Sequence, residues 1–343
     1  MRHLLNTLYV LTPELYLTLD GENVVAKRDG SEVGRFPLHG LEQIVCFSYM
    51  GASPALMGKC VESRISLSFF SPNGKFLARS TGGVNGNVLL RRRQYMLSAT
   101  PAESLAVARN MILGKVYNAR WVLERALRDH ALSIRADTVR AASLEMQQSL
   151  EAIRTCENMD SLRGLEGEAA STYYSVFDEL ILHPGAEFRF NSRNRRPPLD
   201  PINALLSLAY SVLANSCAAS LESVGLDPYI GMMHADRPGR KSLALDLMEE
   251  LRAVTADRFV LTCINNRVFS ADMFERLEGG AVLLNDKGRR KFFAAWKERR
   301  DDILTHPYLK EKIPWGLVPY LQSLLLARYI RGDLDNYPPF LWK

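Results

Sequence analysis

The side chains best suited to chemistry lie between Gly231 and Arg252, where the chain reads GMMHADRPGRKSLALDLMEELR. His234 stands just upstream of a polar turn, 235–241, that contains Pro238 and Gly239. From Ser242 the pattern becomes helical, with Leu243, Leu247 and Leu251 recurring every four residues on a face that can be buried. Asp246 precedes Glu249 by three residues and Glu250 by four, so these carboxylates share one helical face, a turn apart. Carboxylates beside an imidazole are raw material for a divalent-metal site. Hard oxygens suit Mg²⁺ or Mn²⁺, and a neutral imidazole tilts the choice towards Mn²⁺. The plain alternative is a solvated acidic face with an incidental histidine, and from this stretch alone the balance falls on that side.

Such groups need a scaffold. With 343 residues, 47% of them hydrophobic, the chain can bury sizeable cores, and two domains are expected. Its character changes near residue 95. Short β-type runs occupy 4–11, 15–19, 23–27, 43–47, 65–70 and 76–79, punctuated by turn pairs such as Asp20-Gly21 and Asp29-Gly30. A helix is expected over 53–63, where Ser53-Pro54 suits an N-cap followed by a first helical position. The stretch 81–95, TGGVNGNVLLRRRQY, reads as a flexible connection ending in three arginines. Helical spacing then recurs over 102–130, 134–156, 164–182, 201–224, 242–253, 270–278, 287–303 and 315–331. The expected fold class is α+β: a small N-terminal β-rich dimerisation domain with its linker over 1–94, then a larger all-α catalytic domain over 95–343.

A net charge of +5 is only mildly basic, so clustering matters more than the sum. Residues 189–198, RFNSRNRRPP, hold Arg189, Arg193, Arg195 and Arg196 with no acid; they read either as phosphate contacts or as a solvated loop. Residues 287–300, KGRRKFFAAWKERR, interleave seven basic side chains with Phe292, Phe293 and Trp296. Those aromatics could stack on unpaired bases, but they fit the buried face of an amphipathic helix better. Five scattered cysteines without a CxxC pair argue against a zinc site or disulfide framework, and for a reducing cytoplasm. No stretch is read as approaching eighteen uncharged apolar residues, so no membrane span is expected.

Three separated segments change the balance when read together. They are RGLEGEAASTYY at 163–174, RRPPLDPINALLSLAY at 195–210, and the His234 stretch preceded by GLDPYIG at 225–231. In this order they resemble the CRISPR-associated integrase family, the endonucleases of spacer acquisition. The ending SLALDLMEELR resembles the type I-C branch, and the likeness extends to the β-rich start and to RRRQY.

The resemblance implies a β-domain that joins homodimers and a helical catalytic domain. It also implies Mg²⁺ or Mn²⁺ as cofactor and a small ferredoxin-like second adaptation protein as partner. The substrates it implies are double-stranded DNA with splayed ends and CRISPR repeat DNA, with a DNA 3′-hydroxyl joined to a repeat phosphodiester. Residue by residue, Glu166, His234 and Glu249 take the catalytic and metal-binding positions, with Asn203 and Asp246 in support. Glu168 lies about 200° round the helix from Glu166 and is the poorer choice. Glu250 competes with Glu249. His234 is either a ligand or a proton carrier, since free imidazole titrates near about 6.5. Arg252 and Tyr210 join the four loop arginines as expected DNA contacts, whereas Tyr173 and Tyr174 read as helix packing. Two alternatives stand beside this: a transposon-type integrase outside CRISPR, and a non-catalytic DNA-binding subunit of the same fold.

Overall fold

Alternating apolar and polar residues at the start of the chain build two small sheets. In this computed structural model residues 6–71, 76–82, 87–182, 188–194 and 197–343 are described; Arg195 and Arg196 lie outside them. Strands β1 (Asn6–Val10), β2 (Tyr16–Asp20), β3 (Asn23–Arg28), β4 (Ser31–Pro37) and β5 (Leu41–Cys46) come first. Helix α1 (Pro54–Glu62) and strands β6 (Ser66–Phe70) and β7 (Phe76–Arg79) follow. The sheet β1-β5-β6-β7 is parallel across its first three strands and antiparallel at β7, while β2-β3-β4 is an antiparallel meander.

Asp29 and Gly30 both take positive φ, the turn geometry that matches the twist of a tight hairpin. That hairpin recruits β4, which no apolar alternation marks in the sequence, because its side chains are mostly exposed. Ser53 caps α1 as expected, its side chain accepting from Leu56 N, with Pro54 in the first turn. Leu17, Val24, Ile44, Leu56 and Leu67 are wholly buried in the core between these elements.

The remaining elements are mainly helical: α2 (Val88–Ala99), α3 (Pro101–His130), α4 (Ala136–Thr155), α5 (Met159–Ser175), α6 (Pro201–Ser223), α7 (Ser242–Leu251), α8 (Arg258–Asn265), α9 (Asp286–Asp301) and α10 (Val318–Arg331). Two short ladders, β8 (Phe274–Arg276) with β9 (Val282–Leu284) and β10 (Ile303–Thr305) with β11 (Lys312–Pro314), interrupt them. The expected α+β class holds. Within it, α2 is a helix where a flexible connection was expected, because Leu, Arg, Gln and Met are all good helix formers. Residues 270–278, expected as a helix, form a short 3₁₀ turn and strand β8 instead.

The chain divides into two compact units, residues 1–85 with 283–301, and 86–282 with 302–343. Helix α9 is thus part of the first unit. Its Phe293 ring stacks on Tyr9 at 4.6 Å between centroids and lies 4.9 Å from Phe47, and Phe292 stacks on Trp296. Arg300 pairs with Glu42 and donates to Thr7. The aromatics among the basic residues are core, not a platform for bases.

In the second unit, α3 packs against α4, α5 and α7. Gly114 permits that closeness, since a Cβ there would stand 2.8 Å from Glu250 Cβ. Helix α6 corrects the membrane reading: by length and apolarity it could cross a bilayer, yet 67% of its most apolar window is buried inside the protein. Its N-terminus is fixed by Asp200, which accepts from Asn203 N at 2.7 Å, with Pro201 at the first helical position.

The C-terminal residues strap across this core through Glu250. Tyr337 Oη and Gln322 Nε2 donate to its Oε1, and Phe340 N donates to Oε2 at 2.8 Å. Asn118 Nδ2 bonds the carbonyls of Glu250 and Phe340, both at 2.6 Å. Burial pushes the Glu250 carboxyl up to about 7, against the opposing hydrogen bonds from Tyr337, Phe340 and Gln322. Replacing Tyr337 by Phe removes one bond to a buried acid and leaves the packing intact. The expected cost is about 1–3 kcal/mol, read as a lower midpoint in thermal unfolding followed by circular dichroism.

Candidate active site

Three helices bring the reactive groups together. Helix α5 begins at Asn158, whose side chain accepts from Ser161 N at 2.8 Å; Leu162, Ala169 and Tyr173 then bury one face. That packing places Glu166 towards Lys115 of α3, which donates to Glu166 Oε1. The same ammonium lies 2.7 Å from Glu249 Oε2 of α7. Arg252 Nη2 donates to the other Glu249 oxygen at 2.6 Å. Glu249 is only 4% exposed, and burial alone would raise its pKa. Arg252 and Lys115, with a smaller contribution from His234, override that effect and hold the carboxyl down at about 2.

His234 is set by a separate device. Asp246, 1% exposed, accepts from the backbone N–H groups of Met232 (2.6 Å), Met233 (3.1 Å) and His234 (3.1 Å). Its Oδ1 also lies 2.5 Å from His234 Nδ1. A carboxylate oxygen accepts, so Nδ1 carries the hydrogen of this contact and Nε2 is left free of it. Gly231 is required for the loop to wrap so tightly, because a Cβ there would stand 2.6 Å from the His234 carbonyl and 3.0 Å from Asp246 Oδ2. Two further clasps hold the loop. Arg163 Nη2 donates to Met233 O at 2.8 Å. Gln94 exchanges hydrogen bonds with Asp227, 2.8 Å to its carbonyl and 2.9 Å from its N–H.

Glu249, favoured by its spacing from Asp246, and the adjacent Glu250 point to different partners: Glu249 to Lys115 and Arg252, Glu250 to the C-terminal strap. Glu166 and Glu249 meet at one cation, while His234 is bonded to Asp246, one turn before Glu249 on α7. Among the described residues, no three His, Cys, Asp or Glu side chains stand as a ready metal cage. The donor set nevertheless suits a hard divalent ion: Glu249 Oε2 is buried and accepts no hydrogen bond of normal angle, though Lys115 lies within ion-pair distance.

Arg193, Arg252 and Tyr210 form a neighbouring cluster. The guanidinium carbons of Arg193 and Arg252 stand 5.2 and 4.9 Å from the centroid of the Tyr210 ring. Tyr210 Oη donates to Asp257 at 2.5 Å and shares a 2.7 Å bond with Tyr174 Oη. Burial raises the Asp257 carboxyl to about 6 against that hydrogen bond and the two arginines. Asp257 closes a π-helical turn, Arg252–Asp257, of the kind that often marks functional sites. Asn203 does not join the carboxylates. Fully buried, it accepts from Arg193 Nη1 at 2.6 Å and donates to Ser192 O at 2.9 Å, pinning the arginine loop to α6. Arg189 is 60% exposed, with Asp178 3.6 Å away.

Residues 8–298 match the family described as CRISPR associated protein Cas1. The chain belongs to the Cas1 family. A CRISPR-associated endonuclease Cas1 of Rhodospirillum rubrum is 50% identical over 347 residues, spanning all of both chains. One from Chlorobaculum tepidum is 43% identical over 343 residues, again spanning both. Among solved structures, a casposase bound to integration product superposes with TM-score 0.83 at 21% identity, covering 99% of this chain and 95% of that one. A Cas1 protein from Thermotoga maritima gives 0.79 at 21% identity, covering 95% and 97%. A Cas6-RT-Cas1–Cas2 complex gives 0.82 at 22% identity, covering 99% of this chain and 36% of that one. These likenesses establish a Cas1 fold and, with the full-length relatives, a Cas1-type endonuclease.

Lys115 and Asp257 carry no mark in the sequence. Each sits on a helix far from its partner in the chain, and no local spacing singles it out. Gln94 and Arg163 lie inside the quoted segments RRRQY and RGLEGEAASTYY without being singled out there; Gln94 clasps GLDPYIG and Arg163 the His234 loop.

Asp246→Ala would strand the buried N–H donors of Met232 and Met233, at a cost of about 1–3 kcal/mol each, and the part-buried one of His234. The expected outcome is faster hydrogen–deuterium exchange at 232–234, measured by mass spectrometry, with α3 and α6 unchanged.

Proposed function

We propose that this Cas1 protein is the spacer-acquisition integrase of a CRISPR system and a divalent-metal-dependent DNA endonuclease, with Glu166, Glu249 and His234 as its catalytic set. The observation that carries the reading is that Glu166 of α5 and Glu249 of α7 contact one cation, the Lys115 ammonium. Positions matched from separate motifs thus share one pocket. When bound, Mg²⁺ or Mn²⁺ would supply charge stabilisation at the phosphoryl group and a more acidic attacking hydroxyl. Glu166 and Glu249 would hold it through carboxylate oxygens, with His234 Nε2 completing the set or moving a proton. Asp246 acts as a positioning residue, keeping the imidazole oriented. Arg252 neutralises Glu249 and, with Tyr210 and Arg193, shapes the pocket wall. Arg189, Arg195 and Arg196 would meet DNA phosphates.

The proposed substrates are a short DNA duplex with splayed ends and the CRISPR repeat, joined by attack of a DNA 3′-hydroxyl on a repeat phosphodiester. The proposed assembly is a homodimer through the first unit, working in the cytoplasm with a small ferredoxin-like adaptation protein. The SLALDLMEELR ending supports a type I-C-like branch.

The test is strand transfer with the purified partner, a splayed duplex and a repeat-bearing plasmid, in Mn²⁺ or EDTA. Glu166→Gln and Glu249→Gln should each lower the rate by about a hundredfold or more, the scale of losing an electrostatic stabiliser. DNA binding should be largely spared. Full activity in Glu166→Gln, or in EDTA, would overturn the assignment.

A second outcome concerns the loop. Replacing Arg189, Arg195 and Arg196 by Ala should weaken binding to unrelated duplexes equally. For every phosphate left without its arginine, the log–log salt dependence should become shallower by about 0.9.

A further inference from the structure

Lys115 lies outside the proposed catalytic set, yet it holds the centre of the pocket. It comes from α3, a third helix, and its side chain is 11% exposed. It touches both carboxylates: it donates to Glu166 and stands 2.7 Å from Glu249 Oε2. Glu249 has a second cation in Arg252, on its other oxygen. An ammonium between two carboxylates and a divalent ion bound to the same oxygens would stand a few ångströms apart, where like charges in a poorly hydrated pocket repel strongly. The two cannot share the position.

We propose that Lys115 is a resident counter-cation that keeps Glu166 and Glu249 paired until a divalent ion displaces it. This rests on the reading of those two residues as metal ligands. The pocket gives the displaced group somewhere to go. A cavity of about 40 Å³ adjoins Lys115, Glu166, Tyr174 and Arg252, more than the roughly 10–15 Å³ that a water-sized group needs. A lysine suits this duty better than an arginine, because its compact ammonium on a flexible four-carbon stem can withdraw without breaking a planar fork. Exchange also changes the charge of the pocket. Replacing one positive charge between the carboxylates by two leaves the pocket more attractive to phosphate only after the ion has arrived. The lysine therefore sets the metal affinity and couples it to phosphate binding.

The test uses the full-length, chelator-stripped protein and Mn²⁺ alone as probe, with binding measured by calorimetry. Lys115→Met should bind Mn²⁺ roughly 10- to 100-fold more tightly than the wild type, the scale of the charge-assisted contact that no longer competes. Without metal it should unfold at a lower temperature. Lys115→Arg should bind no more tightly than the wild type. A measurement on the unaltered chain guards against a variant that does not fold: acylation of Lys115 by an amine-reactive ester, followed by mass spectrometry, should rise when Mn²⁺ is added. Glu166→Gln and Glu249→Gln are the control arms. If they weaken Mn²⁺ binding while Lys115→Met binds no more tightly than wild type, the proposal for lysine is overturned and the ligand assignment stands. The lysine proposal is equally overturned if Mn²⁺ leaves Lys115 acylation unchanged while the control arms weaken binding. If neither glutamine variant alters Mn²⁺ binding, both readings fall.

Discussion

Two ionised carboxylates lie close together in a poorly hydrated cleft only when cations accompany them. Here Glu249 is held ionised by Arg252 from its own helix and Lys115 from another, and Lys115 also answers Glu166. Removing one partner from such a buried arrangement leaves an uncompensated charge, a loss of about 3–5 kcal/mol. Much of the second unit serves this constraint. Gly114 lets α3 reach α7, the Glu250 strap anchors the back of α7, and the cap at Asn158 fixes where α5 begins. The pocket is thus a meeting of three helices whose positions are set by contacts on their far sides.

Histidine placement follows a different logic. A loop cannot be positioned by side-chain burial alone, because its backbone donors need acceptors. Asp246 supplies them, three N–H groups on one carboxylate, and binds the imidazole with what remains. The acid that spacing marked as a possible ligand is consumed in building the loop. Its neighbour a turn later is the one that faces the pocket.

Legibility in the sequence tracked how local each cause was. Turn pairs, the Ser53-Pro54 cap and the period of α3 to α6 are decided within a few residues, and these elements lie close to where the pattern put them. Strand β4 depended on its partner β3 and carried too little apolar alternation to stand out, whereas the helix-forming residues of α2 were masked by the glycines and asparagines before them. The same divide runs through the site. Glu166, His234 and Glu249 were legible as motif positions. Spacing from Asp246 favoured Glu249 without excluding Glu250, and the C-terminal strap separates their faces. Lys115 was invisible, one of five Lys and Arg residues on a long amphipathic helix, and its importance arises from what two distant helices bring to it.

Helix α9 carries a consequence for the order of events at the ribosome. The aromatic face that completes the first unit belongs to residues 283–301, while the sheets it covers are finished by residue 85. At synthesis rates of about 5–20 residues per second, those sheets emerge roughly 10–40 s before their last core element. During that interval Tyr9 and Phe47 lack Phe293, and the nascent sheets must stay soluble with part of their core exposed. The sheets are thus made well before the helix that finishes their core, a long-range closure of the kind that slows folding.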